Sequence, residues 1–491
     1  MEVTVTSQTP PPVTLGKRII FILFGLASLL GWNAIMSELP FFRFYLPKMD
    51  PDTSFPFLNY ALNIVLQFLM LWNRNLVPLK FRLIGGLISG TIIMILLPTV
   101  VLVMKQNSTE NVIVTGAIVL IMGMVNALCS GGFFALVSFF PVNLMIGFSA
   151  GQGFSGVMMN IIQYIVLGSI NSKDRKKYLT KCAWIYFGIS AGMLFIVLMI
   201  LLIQLRTEFF KYYLRPLNNK GKIEKEDKVE NKENNNENKK PENNNNEGKK
   251  EEENNNEDKK EEKNIAISTE RDQQLNLKEN GIENKVSAPI PASSENNINN
   301  GPSPKKRRQI SCFQMFKILM DLDILRTYIN FISNTLFPKA GVTHSLFKED
   351  KYKTVTILLM YNFTDFFGRY IVLAFKQTKR KTYIIAIGRT ILVFLLIFNY
   401  YCEKDLKTDL NVTSSLLIIY VIALGLTHGM GNSLCFGIAP TMVEDDLKMQ
   451  AGSSMSFFTV FGLFLGSCLG FLTKFILEKI DKNANKKSIS Q

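Results

Sequence analysis

Long apolar stretches recur along the chain, and almost no charged residue interrupts them. The stretches at residues 18–39, 82–104 and 112–139 are typical. A helix in the core of a water-soluble protein keeps a polar face, whereas about 20 consecutive apolar residues cross a bilayer as an α-helix. The pattern therefore predicts helices that span a membrane.

About eleven spans of this kind are predicted, each near the length that a bilayer requires. They cover residues 18–39, 57–73, 82–104, 112–139, 143–169, 180–205, 324–342, 354–375, 381–401, 414–439 and 453–477. The sequence thus predicts an all-α polytopic membrane protein with about 11 transmembrane helices.

A long polar segment separates the first six spans from the last five. Residues 206–312 repeat Asn, Lys and Glu, with scarcely an aromatic residue after Tyr213. Such a composition cannot bury enough apolar surface to fold, so we expect a disordered linker. The predicted organisation is an N-terminal tail at 1–17, helices within 18–205, the linker at 206–312, helices within 313–477 and a C-terminal tail at 478–491.

The formal net charge of +15 raises the question of nucleic-acid binding. The basic residues lie between the spans, however, where Lys and Arg favour the cytoplasmic side of a membrane. We therefore expect these charges to meet membrane lipids and no nucleic acid. The basic cluster Lys305–Arg308 at the end of the linker is interpreted as a juxtamembrane anchor.

The orientation depends on the linker, because the basic residues of the short loops divide almost evenly between the two sides. Placing the N-terminus in the cytoplasm places the linker and its basic ends there as well. Two glycosylation sequons, Asn107-Ser108-Thr109 and Asn411-Val412-Thr413, then lie on the outer face. We expect this orientation, and the plasma membrane as the location.

The sequence gives no sign of a soluble catalytic domain. It has no phosphate-binding GxxxxGKS or GKT loop and no HExxH, and the spacing GxSxG at Gly147–Gly151 lies inside a predicted span, not at the strand-to-helix turn of a nucleophile elbow. Cys129, Cys182, Cys435 and Cys468 fall inside apolar stretches without the paired spacing of a zinc site or a disulfide framework. We therefore expect no enzymatic activity, no metal and no cofactor.

Polar side chains within the predicted spans are the better guide to function, since such groups turn towards a partner or a water-filled cavity. Four predicted helices carry stripes of them: Asn59, Asn63 and Gln67; Gln152, Ser155 and Gln163, with Met159 near the same face; Asn362, Asp365 and Arg369; and His428 and Asn432. Several inward stripes favour a hydrated pathway over a receptor with one small polar pocket.

Asp365 and Arg369 stand four residues apart within one predicted span, a spacing at which two side chains on a helix can meet. The pair is open to two interpretations. In the first, the two charges only neutralise one another or lock helices together, which we call a structural clamp. In the second, the charges meet a polar substrate as the cavity opens. A membrane histidine such as His428 more often forms a hydrogen bond between helices than it carries a proton.

Five sequence features, in order, resemble the equilibrative nucleoside transporter family. They are Trp32-Asn33; Gly151-Gln152-Gly153-Phe154-Ser155-Gly156; the Asn-x-x-Asp-x-x-Gly-Arg pattern from Asn362 to Arg369; Arg389; and Ala451-Gly452 followed by Phe457-Phe458, Gly462 and Gly466. The resemblance runs through most of the chain outside the linker.

The resemblance implies an 11-helix, major-facilitator-like fold in a 6+5 arrangement, whose halves rock about a central site. It makes Trp32 and Met36 candidates to line a base pocket, with Gln152 bonding to the base edge. The resemblance also implies that Asp365 orients Arg369 and that Arg369 meets the ribose hydroxyls. The full set of substrate-binding candidates is Trp32, Asn33, Met36, Gln152, Ser155, Asn362, Asp365, Arg369, His428 and Asn432.

The chain also departs from the family at several positions. Gly31 stands where many members have proline, and Thr427-His428-Gly429 stands where many have Ser-Asn-Gly. Glu38, near the end of the first span, is expected to be an exposed interfacial charge.

The expected function is facilitative transport of nucleosides or nucleobases, with protons left open as a further partner. The alternatives are a transporter of the same fold for an organic cation or an amino acid, and a membrane scaffold or receptor that does not transport.

Overall fold

The computed structural model describes residues 11–73, 76–169, 174–215, 311–321, 351–374, 379–405, 410–444 and 447–489. The main helices in these ranges are α1 (Leu15–Ser37), α2 (Leu39–Tyr45), α3 (Pro51–Trp72), α4 (Leu79–Val103), α5 (Thr109–Val137), α6 (Val142–Ser169), α7 (Arg175–Gln204), α8 (Cys312–Asp321), α9 (Lys351–Ile371), α10 (Lys379–Asp405), α11 (Leu410–Ile438) and α12 (Lys448–Ile489). No strand occurs among the described residues, and the predicted all-α class is confirmed.

Ten of the eleven predicted spans coincide with long helices, namely α1, α3 to α7 and α9 to α12. The predicted span at 324–342 lies outside the described residues. Seven helical segments in the described part of the chain are long and apolar enough to cross a membrane. The helices α6, α9 and α10 do not meet that measure, and α6 and α9 carry polar stripes.

Short polar side chains fix where several helices begin. The hydroxyl of Thr14 accepts the backbone N–H of Lys17 at the start of α1, and Ser108 accepts that of Asn111 at the start of α5. The carboxylate of Asp174 does the same at the start of α7. Such caps satisfy N–H groups that have no partner within the helix.

Close helix pairs are built on glycine, as expected where helices in lipid pack through van der Waals contact. A Cβ atom on Gly25 of α1 would meet the backbone of Phe148, and one on Gly151 of α6 would meet the backbone of Ile22. In the second half, a Cβ on Gly429 of α11 would meet the backbone of Asp365 on α9. These approaches fix the helices that carry the polar stripes.

The amine of Lys17 donates to the side chain of Gln204 at 2.7 Å, so α1 starts where α7 ends. We call this the linker end of the bundle and the opposite end the far end. An aromatic cluster of Phe21, Phe140, Phe209 and Phe210 closes the linker end beside this bond. Residues 208–215 are helical, and Phe209 and Phe210 are buried, so the packed bundle extends into the predicted linker of residues 206–312.

Helix α8 lies over the linker end and touches both halves of the bundle. The ring of Phe313 packs against Trp72 at the end of α3, with centroids 5.8 Å apart. Phe316 stacks on Phe457 of α12, also at 5.8 Å. The rest of the predicted linker lies outside the described residues.

The prediction that Glu38 is an exposed charge is wrong. The residue is only 4% exposed. It stands at the turn between α1 and α2, and α2 folds back so that Phe41, Phe42 and Tyr45 are buried against the bundle. Because the apolar face of this short helix packs against the bundle, the turn that carries Glu38 is buried as well.

Candidate functional site

A layer of polar side chains crosses the middle of the bundle from α1 and α6 in the first half to α9 and α11 in the second. We call it the central layer, and its members are Ser28, Gln152, Asp365, Arg369 and His428. All five are connected through hydrogen bonds. The layer lies where the two halves meet, which is the position of substrate sites in transporters built from two repeats.

The carboxylate of Asp365 holds the second half of the layer together. Its Oδ2 accepts a hydrogen bond from Nε of Arg369 at 3.0 Å, and its Oδ1 lies 2.7 Å from Nδ1 of His428. Asp365 is 4% exposed and Arg369 3%. The spacing of four residues therefore does bring the two charges together, and His428 forms a hydrogen bond between helices as its environment predicted.

Arg369 reaches across to the first half. Its Nη1 donates to the backbone carbonyl of Ser149 at 3.0 Å, to the hydroxyl of Ser149 at 3.2 Å and to Oε1 of Gln152 at 3.4 Å. Gln152 in turn donates from Nε2 to the hydroxyl of Ser28 at 3.2 Å. One guanidinium thus connects α9 to α6, and one amide connects α6 to α1.

The glycines beside Gln152 allow α9 to approach this closely. A Cβ on Gly153 would meet the side chains of Arg369 and Asp365, and a Cβ on Gly156 would meet the amide of Asn362. The charged pair of Asp365 and Arg369 therefore packs directly against the glycine-rich stretch of α6. A methyl group at Gly153 would crowd the side chains of the charged pair.

Trp32, Asn33 and Met36 of α1 lie on the far-end side of the layer and are all partly exposed. Asn33 donates from Nδ2 to the hydroxyl of Ser155 at 2.6 Å, and that hydroxyl donates to the carbonyl of Gln152 at 2.7 Å. The indole of Trp32 packs against Tyr60, with ring centroids 5.5 Å apart. These residues form a mixed apolar and polar surface next to the charged layer.

Most of the predicted site residues lie close together in the structure, but they do not all contact one another. Gln152, Asp365, Arg369 and His428 share the hydrogen-bonded layer, and Asn33 and Ser155 join it through the carbonyl of Gln152. Asn362 lies against Gly156, and Trp32 and Met36 are partly exposed on α1. Asn432 is buried one turn along α11 from His428.

Sequence reasoning missed three serines, namely Ser28, Ser149 and Ser433. Ser149 precedes Gln152 by three residues and so shares its helix face, a signal that was available in the sequence. Arg389, noted only as a family match, is 1% exposed and donates to the carbonyl of Leu424 at 2.5 Å, so it supports the helix that carries His428.

The layer offers hydrogen-bond donors and acceptors but not the ligand set of a metal. Among the described residues, no group of three His, Cys, Asp or Glu side chains could hold a metal ion. Charge balance also matters here: Asp365 and Arg369 cancel one another, and the layer is neutral when His428 is neutral. Such a layer suits an uncharged polar molecule, because a net charge in a membrane interior is costly.

Comparison with known proteins gives a consistent result. The family model for nucleoside transporters matches residues 115–475. Equilibrative nucleoside transporter 1 of Homo sapiens is 20% identical over 517 residues, which cover 96% of this chain and 100% of that protein. Equilibrative nucleoside transporter 2 of Homo sapiens is 22% identical over 494 residues, which cover 94% and 97%.

Among solved structures, the fold is similar to that of the major facilitator superfamily proton:xylose symporter XylE bound to 6-bromo-6-deoxy-D-glucose. The TM-score is 0.54 at 11% sequence identity, and 94% of each chain is covered. At that identity the likeness concerns the fold alone. It confirms the major-facilitator-like architecture.

Proposed function

Because the chain belongs to the nucleoside transporter family, we propose that it carries nucleosides or nucleobases across a membrane by alternating access. The observation that carries the proposal is the placement of Arg369, which binds Asp365 in its own half and Ser149 and Gln152 in the other. A substrate that engages this guanidinium acts on both halves at once. The protein is a multi-pass membrane transporter, and its work requires no chemical step.

Arg369 and Gln152 are the proposed polar contacts of the substrate. An amide offers a donor and an acceptor to a base edge, and a guanidinium offers several donors in fixed geometry to ribose hydroxyls. The bonds that Gln152 makes within the protein measure 3.2 and 3.4 Å, at or beyond the long end of the normal range. A substrate can therefore replace them at little cost.

Trp32 and Met36 are the proposed apolar wall for the base, and Asn33, Ser155 and Asn362 the polar groups around it. A planar base can lie against the face of an indole, as aromatic rings do in offset contacts. The partial exposure of Trp32, Asn33 and Met36 agrees with a surface that a solute reaches. His428 and Asn432 complete the proposed site from α11.

The neutral charge balance of the layer favours a nucleoside over an organic cation. A cation in the membrane interior calls for a compensating negative charge, and the carboxylate of Asp365 is already bonded to Arg369 and His428. The bridging of both halves by Arg369 likewise favours transport over a scaffold or receptor role. We propose the plasma membrane as the location, with membrane lipids around the bundle and the N-terminus and linker in the cytoplasm.

The test is uptake of radiolabelled adenosine, hypoxanthine and uridine in cells that lack endogenous carriers. We expect saturable uptake of at least one of them, driven by its own gradient. Excess unlabelled substrate should reduce uptake through the carrier, whereas passive diffusion across the membrane should be unaffected. Surface-expressed protein that takes up none of the three, but takes up a labelled organic cation or amino acid, would overturn the substrate assignment.

A further inference from the structure

Two serine hydroxyls meet between the halves on the linker side of the central layer. The hydroxyl oxygens of Ser149 on α6 and Ser433 on α11 lie 2.9 Å apart. Ser149 is 1% exposed and Ser433 0%. We call them the serine pair, and their bond joins the two halves directly.

Ser149 is also the residue that holds Arg369 across the interface. It accepts from Nη1 of Arg369 through both its carbonyl and its hydroxyl, at 3.0 and 3.2 Å. Ser149 therefore engages Nη1, one of the donors that are proposed to meet the substrate. A bound substrate competes with Ser149 for the same guanidinium.

Apolar side chains lie behind the serine pair, nearer to the linker end. Ile146 of α6, Leu434 of α11 and Val372, which follows α9, form a buried cluster that spans the two halves. The rings of Phe134 and Phe436 stack between α5 and α11 at 4.2 Å. The serine pair thus stands between the polar site and an apolar seal.

We propose that Ser149 and Ser433 form a gate that keeps the linker end closed until a substrate draws the Arg369 guanidinium away from Ser149. The proposal rests on the proposed function, since it requires Arg369 to engage the substrate. Opening the linker end separates α6 from α9 and α11, so the bonds of Ser149 to both helices must break. Ser149 is in this scheme a positioning residue for Arg369.

The gate predicts a directional change in kinetics. Removing one hydrogen bond between helices in a membrane changes an equilibrium by about threefold. Ser433→Ala removes the hydrogen bond of the serine pair. Because this bond holds the linker end closed, the fraction of carriers open at the linker end rises relative to the fraction open at the far end. The KM at each end scales inversely with the fraction of carriers open there. The ratio of the far-end KM to the linker-end KM therefore rises by about threefold.

Ser149→Ala removes the serine pair and the hydroxyl contact to Arg369, so we expect a larger rise in the KM ratio than for Ser433→Ala. The double variant should match Ser149→Ala, because the two serines share one bond. Ser190→Ala is the matched control. Ser190 is a buried serine on α7 whose hydroxyl contacts the sulfur of Met159 within the first half, at 3.8 Å.

The experiment measures influx and efflux of a labelled nucleoside for these variants in cells that lack endogenous carriers. A rise in the KM ratio for both gate variants, and none for Ser190→Ala, supports the gate. Unchanged ratios, or a parallel rise of both KM values as expected for loss of a substrate contact, would overturn it. Variants that only fold poorly change surface abundance and leave the KM ratio unaltered, which also counts against the gate.

A second measurement keeps the two proposals separate. Wild-type protein at the surface without any nucleoside or nucleobase uptake refutes the proposed function. Oxidation of the Ser149→Cys/Ser433→Cys variant by copper–phenanthroline, in the purified protein without substrate, then tests the closed gate by itself. We expect a disulfide between the halves, seen as a retained link after proteolysis of the 220–300 segment, and two separate fragments would refute the gate.

Discussion

The Nδ1 atom of His428 lies 2.7 Å from Oδ1 of Asp365, so α11 is bonded to α9 at the centre of the second half. An ionised carboxylate only accepts hydrogen bonds, so the ring nitrogen is the donor. The two bonds use different oxygens of the carboxylate: Nε of Arg369 donates to Oδ2, and His428 bonds to Oδ1. His428 thereby helps to fix the charged pair on which the proposed site depends.

Replacing His428 tests this role. The amide nitrogen of asparagine is as many bonds from the backbone as Nδ1 of histidine, so His428→Asn can keep the bond, whereas His428→Leu cannot. Hydrogen bonds to charged groups contribute about 1.5–3 kcal/mol. We expect the Asn variant to retain the wild-type melting temperature and uptake, and the Leu variant to lose both in part. Equal melting temperatures for the two variants would contradict the assignment.

Gln152→Ala should raise the apparent KM for the transported nucleoside much more than it lowers surface expression. Among the described residues the side chain makes two hydrogen bonds, both long, so the bundle loses little without it. Ser28→Ala is the control, since it removes one partner of Gln152 and leaves the amide in place. If the KM of the Gln152 variant equals that of the wild type, Gln152 is not in the site.

The close contact of α1 and α6 can be tested with two glycines. Gly151→Ala places a methyl group against the backbone of Ile22, whereas a Cβ on Gly188 of α7 meets no atom within 4 Å. Overpacking of this kind costs about 1–3 kcal/mol. We expect Gly151→Ala to lower the melting temperature of the purified protein, and Gly188→Ala to leave it unchanged or raise it. The opposite order would show that α1 and α6 are not packed through Gly151.

The helices and the charged pair could be predicted from the sequence because their causes are local. A bilayer sets the length of an apolar span, and a spacing of four residues sets the contact between Asp365 and Arg369. The serine pair could not be predicted in this way, since its members are 284 residues apart in the chain. Their contact depends on how the two halves meet.

The errors at the boundaries have the same kind of cause. Glu38 was expected to be exposed because it ends an apolar span, but the packing of α2 buries it. The repeated Asn, Lys and Glu predict a linker from residue 206, yet Phe209 and Phe210 belong to the aromatic cluster of the linker end. In both places a few aromatic side chains outweigh the composition of the segment.

Removal of residues 220–300 should leave uptake intact, because this polar tract has few apolar side chains with which to hold the bundle. A longer deletion, of residues 206–300, is the matched control. It also removes Phe209 and Phe210, which are 6% and 0% exposed, and should lower both expression and uptake. Loss of uptake in the shorter deletion, with protein still at the surface, would show that the linker takes part in transport.

Single replacements of Asp365 or Arg369 should damage folding as well as uptake. Each leaves an uncompensated charge in the bundle, and breaking a buried pair costs about 3–5 kcal/mol. Surface expression and melting temperature should therefore fall together in Asp365→Ala and in Arg369→Ala. Such single variants cannot separate a structural clamp from a substrate contact.

The charge swap Asp365→Arg with Arg369→Asp can separate them, because it keeps the pair neutral and moves the guanidinium one helical turn towards the far end. In the wild type the carbonyl of Ser149 accepts a hydrogen bond from Nη1 of Arg369 at 3.0 Å. The swap removes this bond, because the guanidinium moves away from Ser149. If the pair only clamps α9, the swap restores expression and a good part of uptake. We expect expression to recover while uptake stays near background, since the donors then lie at the wrong level of the site. Uptake near the wild-type level would remove Arg369 from the substrate contacts and leave the clamp as its role.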